Sequence, residues 1–176
     1  MGIIITVALI TAVSALGDES ETAGMTNDIM RLLKASGAVS YAHKTPYAEG
    51  IESVYIGFGK DDKPVAGLAV RNTKTYKQAM AIVVVTQVDG SYKIAAAEIP
   101  DVGTFHGKSQ TLTKDALKDI TGKVFKNEAE ARGLVDSVTG ATQYLKALYV
   151  SYALMASKVI VELSATPDWP RTTIQP

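Results

Sequence analysis

The sequence predicts an α+β domain: an antiparallel sheet built from two hairpins, with helices packed against it. Three observations carry that prediction. Two pairs of alternating apolar runs are each joined by turn residues, and the C-terminal third repeats apolar residues at helical spacing. The length of 176 residues suits one buried core and is short for two.

The chain opens with a stretch, residues 3–16, that is apolar apart from Thr6, Thr11 and Ser14, and continues as the acidic "GDESETAG". As a helix it would rise about 21 Å, short of a ~30 Å hydrocarbon core. Three readings stay open for residues 1–24: a cleavable signal peptide with its linker, a short membrane anchor, or a buried segment of the fold. The first two both place the domain in the cell envelope, on the outer side of the cytoplasmic membrane.

Residues 25–164 form the domain proper. Thr26 is expected to cap a helix that carries Ile29, Met30, Leu32 and Leu33 to about Ala35, with Gly37 stopping it. "SVYIGFGKDDKPVAGLAV" reads as the first hairpin. Val54, Ile56 and Phe58 alternate on one arm, Val65 and Leu68 lie on the other, and "KDDK" makes the turn. "AMAIVVVTQVDGSYKIAAAEI" reads as the second, turning at Asp89 and Gly90. "PDVGTFHGKSQ" follows as a glycine-punctuated loop of the kind that carries function.

Thr113 is expected to cap a short amphipathic helix ended by Gly122, and Asn127 to cap another. The last helix should bury Leu145, Leu148, Tyr152, Met155 and Val159 along one face. Residues 165–176 hold three prolines and are expected to be irregular or extended.

Charge and composition remove several functions. Lysines plus arginines number 18, as do aspartates plus glutamates, so nothing concentrates the basic charge that nucleic-acid binding needs. There is no cysteine, which excludes disulfides, thiolate zinc sites and cysteine-held iron–sulfur clusters on this chain. His43 and His106 are the two histidines, far apart in sequence, and a histidine-rich metal centre is not expected.

One motif points to chemistry. "DSVTGATQYL" places Asp136 three residues before Thr139, Gly140, Ala141 and Thr142, directly ahead of the last helix. Thr142 alone would read as an N-cap, with Gly140 making the tight turn before it. The longer spacing D-x-x-[ST]-G-A-[ST] should arise by chance in a chain this size on the order of once in a thousand.

Through this pattern the sequence resembles the covalent FMN-binding domain family, which includes the flavin-bearing peripheral subunits of Rnf-type ferredoxin:NAD oxidoreductases and Nqr-type sodium-pumping quinone reductases. The two hairpins extend the likeness over roughly residues 50–160, and "PDVGTFHGK" stands where the family carries a Thr-Pro-Gly-x-Gly loop. The Thr-Pro is absent here, and Gln143, Tyr144 and Leu145 depart from the family's usual continuation.

The resemblance implies FMN joined through its phosphate to the Thr142 hydroxyl by a separate flavin transferase. Membrane-bound redox subunits would be its electron-transfer partners. Asp136, Thr139, Gly140 and Ala141 would form the acceptor segment, with Asp136 a recognition or capping residue. A small Gly-Ala pair lets a transferase approach the hydroxyl. A phosphate at a helix N-terminus meets unpaired N–H groups and the positive end of the macrodipole.

His106 and Tyr144 are further candidate flavin contacts, beside Tyr76, Phe105 and Lys108; no residue of the chain is assigned a catalytic role. Two other readings remain: a flavin-dependent reductase of a small substrate, with His106 as its one nominated proton donor, and an unflavinylated structural subunit of the same fold.

Overall fold

The computed structural model describes residues 16–74, 77–137 and 143–175, with side chains from residue 24 onward except those of residues 74 and 137. Helix α1 (Leu16–Ala35) is followed by strands β1 (Ser40–Lys44), β2 (Ser53–Phe58), β3 (Pro64–Lys74), β4 (Gln78–Val88) and β5 (Ser91–Glu98). A 3-10 segment (Pro100–Thr104) leads to α2 (Gly107–Ile120), β6 (Val124–Phe125) and α3 (Glu128–Arg132). A second 3-10 segment (Gly133–Ser137), α4 (Gln143–Ala165) and β7 (Arg171–Thr173) complete the order.

The strands form one sheet in the order β6-β5-β4-β3-β2-β1-β7, antiparallel at every pairing. The α+β expectation is met. Both hairpins form where the alternation placed them, and Asp89 and Gly90 take the positive φ values, 49° and 75°, that a tight hairpin turn requires.

Strand alternation divides the core in two. Val54, Ile56 and Phe58 of β2 join Ala81, Val83 and Val85 of β4 beneath α4. Ala66, Leu68 and Val70 of β3 join Ile82 and Val84 of β4 beneath α1. A strand covered on both faces buries every side chain, which is why residues 82–85 read as a continuous apolar run. Two register shifts interrupt the ladder, at Gly57/Phe58 and at Val84/Val85, where β3 and β5 each carry one extra residue.

Helix α4 is the hub of the larger core. Leu148, Tyr152, Met155 and Val159 are fully buried, each stabilising the fold by about 1.5–3 kcal/mol relative to exposure. Its length and apolarity would also allow it to cross a membrane, but most of it is buried inside this domain. Its close approach to the sheet depends on Gly67, where a Cβ would lie 2.3 Å from Val159 Cγ1.

Several local expectations change. The first helix begins at Leu16, so "GDESETAG" is helical and Thr26 lies inside it. Gly37, at φ 85°, ends it as expected, and Ala38 N–H donates to Leu33 O at 3.1 Å.

Helix α2 begins at Gly107 rather than at Thr113, which is fully buried within it. Asn127 caps α3 as expected, accepting from Glu130 N–H at 3.0 Å. Strands β1, β6 and β7 carry too few alternating residues to stand out in the sequence. β7 nevertheless gives the proline-containing tail a place at the sheet edge, beside β1.

Candidate functional site

The end of the sheet where β3 finishes and β4 begins gathers α4 around Ser151, the 3-10 segment after β5 and, through Gln110, the first turns of α2. Thr73 near the end of β3 shares a buried hydrogen bond of 2.7 Å with Ser151 of α4. At the end of β5, the Tyr152 hydroxyl donates to Glu98 O at 2.6 Å. These two bonds fix the N-terminal half of α4 over that end of the sheet.

Lys77, just before β4, ties the 3-10 segment to the same end. Its ammonium lies 3.5 Å from an Asp101 carboxylate oxygen and 5.2 Å from the Phe105 ring centroid, and it donates to Thr104 Oγ1. Phe105 is buried, so its side chain contributes to the core.

Of the residues nominated from the sequence, Thr139, Gly140, Ala141 and Thr142 lie outside the described residues, as does Tyr76. The elements on either side are described. Asp136 belongs to the 3-10 segment before them and is exposed, and Gln143 is the first residue of α4. In sequence, residues 139–142 therefore immediately precede a 23-residue helix.

Tyr144, in the first turn of α4, is half-buried, and its hydroxyl is buried without a hydrogen-bond partner. A buried hydroxyl left unpaired costs about 1–3 kcal/mol. His106 is exposed at the N-cap position of α2, and its carbonyl accepts from Ser109 Oγ at 2.6 Å. Lys108 is exposed as well. Were Thr142 to carry a flavin phosphate, the helix that begins one residue later in sequence would offer its N-terminal N–H groups to it.

Four titratable groups have shifts with structural causes. Burial, and then the hydrogen bond to Asp119 at 2.8 Å, push the Tyr149 hydroxyl up to about 12. Burial raises Tyr152 strongly. Tyr47 is raised by burial and by its 2.5 Å bond to Glu162, and Lys158 holds Glu49 below its ordinary range through a 2.6 Å contact.

Sequence reading missed Lys77, the Thr73–Ser151 pair and a cavity on the other face of the sheet. Asn72 gave a usable signal, because it is a polar residue continuing the Leu68 and Val70 alternation where a third apolar residue would extend the core. No protein-family model, curated protein or solved structure matches this chain.

Proposed function

We propose that the protein is an electron-transfer domain carrying FMN covalently through a phosphodiester to Thr142. It would be matured by a flavin transferase and exchange electrons with membrane-bound redox subunits at the outer face of the cytoplasmic membrane. The observation that carries this reading is the spacing of Asp136, Thr139, Gly140, Ala141 and Thr142 directly ahead of α4. Its chemical sense lies in the helix N-terminus, whose unpaired N–H groups and dipole favour a phosphate. When bound, the flavin supplies the one- and two-electron chemistry, while the chain binds and positions it.

The carrier reading is favoured over a small-substrate reductase by His106. A reductase needs an enclosed proton donor within hydrogen-bond reach of its substrate, whereas His106 is exposed at the start of α2.

Co-expression with a flavin transferase tests the attachment. Intact mass should rise by FMN minus one water, with the flavin mapped to the peptide containing Thr142. Thr142→Ser should keep the label and Thr142→Ala should lose it. An unmodified mass, or flavin mapped to Thr139, refutes the reading.

A further inference from the structure

On the face of the sheet away from α4, helix α1, the ends of β2, β3 and β4 and the 3-10 segment after β5 line a half-open cavity of about 740 Å³. That volume is within the range of small-molecule sites, about 300–1,000 Å³. Its roof includes Ile29 of α1, and its floor includes Val70 and Met80, so the space is a slab between a helix and a sheet face.

Tyr55 supplies an aromatic wall. Its ring is stacked on His43 of the neighbouring strand, with centroids 5.4 Å apart and planes 13° from parallel, which limits its freedom to turn. Asn72 and Gln78, both exposed, bring side-chain amides that can donate to and accept from one polar edge.

Charge narrows the ligand class further. Asp28, Glu52 and Asp101 line the cavity, and no basic side chain is among the described residues that do. Arg31 and Lys77, which pair with Asp28 and Asp101, stand outside it. With two of these carboxylates paired, Glu52 adds an acidic group, and the lining offers no described basic side chain to hold an anion.

We propose that this cavity binds an uncharged planar ring system of two or three fused rings with a hydrogen-bonding edge. Tyr55 and Met80 contact the ring, and Asn72 and Gln78 contact its edge. Such a ring has two sources, the isoalloxazine of a tethered flavin or a diffusible redox ring such as a quinone. The proposal stands on the cavity lining and holds whether or not Thr142 carries the cofactor.

Riboflavin titration of the full-length, unflavinylated Thr142→Ala protein, followed by flavin fluorescence, tests it. Riboflavin should bind saturably, and FMN, with its added phosphate, should bind severalfold more weakly. Met80→Trp, which fills the slab, should weaken riboflavin at least tenfold. Asn72→Ala, at an exposed position that leaves the core intact, should weaken it severalfold without shifting the thermal midpoint.

Flavinylated protein and menadione distinguish the sources. A tethered isoalloxazine in the cavity leaves flavinylated protein unable to take up riboflavin. A diffusible occupant leaves that uptake intact and open to competition by menadione. Absence of saturable riboflavin binding overturns the proposal, as does tighter binding of FMN than of riboflavin. Unchanged affinity in a folded Met80→Trp or Asn72→Ala protein also overturns it.

Discussion

Thr73 of β3 and Ser151 of α4 share one hydrogen bond, 2.7 Å long, with both residues buried. It is a polar clasp inside an apolar layer, two turns from the start of α4. Removing one hydroxyl leaves the other buried and unpaired, so Ser151→Ala should cost about 1–3 kcal/mol. The double variant Thr73→Val/Ser151→Ala should lose less than the sum of its single changes. Urea denaturation of the four proteins measures the coupling; strict additivity would show that the pair is not coupled.

Gly67 should tolerate no side chain. A Cβ there would come within 2.3 Å of Val159 Cγ1 and 3.2 Å of both Ile56 Cδ1 and Leu163 Cγ. Gly67→Ala should destabilise by about 1–3 kcal/mol through overpacking. Adding Val159→Ala opens the space, so the double variant should be more stable than the sum of the two single losses predicts. Thermal or urea unfolding reads both.

Alkaline pH should destabilise the fold. Burial is the first cause of the raised hydroxyls of Tyr47, Tyr149 and Tyr152, so the native state keeps protons that the unfolded chain releases above about pH 10. Their contribution is intact below that pH. It then declines as pH rises, over the window from about 10 to about 12 for Tyr149. Each tyrosine accounts for at most about 1.4 kcal/mol per pH unit. Tyr149→Phe should make the decline shallower in urea titrations across this window, and an unchanged slope would contradict the assignment.

Asp136 should separate recognition from stability. It is exposed in the 3-10 segment before the proposed acceptor Thr142, and such surface positions usually change stability by no more than about 0.5 kcal/mol. Asp136→Ala should therefore leave the urea midpoint in place while lowering the fraction of chains that gain FMN mass during co-expression. Full labelling of Asp136→Ala would remove the residue from the recognition motif.

The sequence by itself determined the elements whose physics is local. Alternation between Val54 and Phe58, the run at 82–85 and the Asp89–Gly90 turn specified the hairpins, because each signal lies within a few residues of the structure it makes. The spacing of Leu148, Tyr152, Met155 and Val159 specified α4 in the same way. The pattern from Asp136 to Thr142 was legible too, because a spacing of this kind lies within a single linear segment.

Only the tertiary structure decided what depends on distant partners. Thr26 and Thr113 looked like helix caps, yet they lie within longer helices supported by packing against the sheet. The two-residue β6 and three-residue β7 exist through pairing with β5 and β1, not through any pattern of their own. The cavity beside Tyr55 brings α1 together with strand ends up to about fifty residues away in sequence. No local periodicity encodes such a space, because its shape arises where separate elements fail to fill the volume between them.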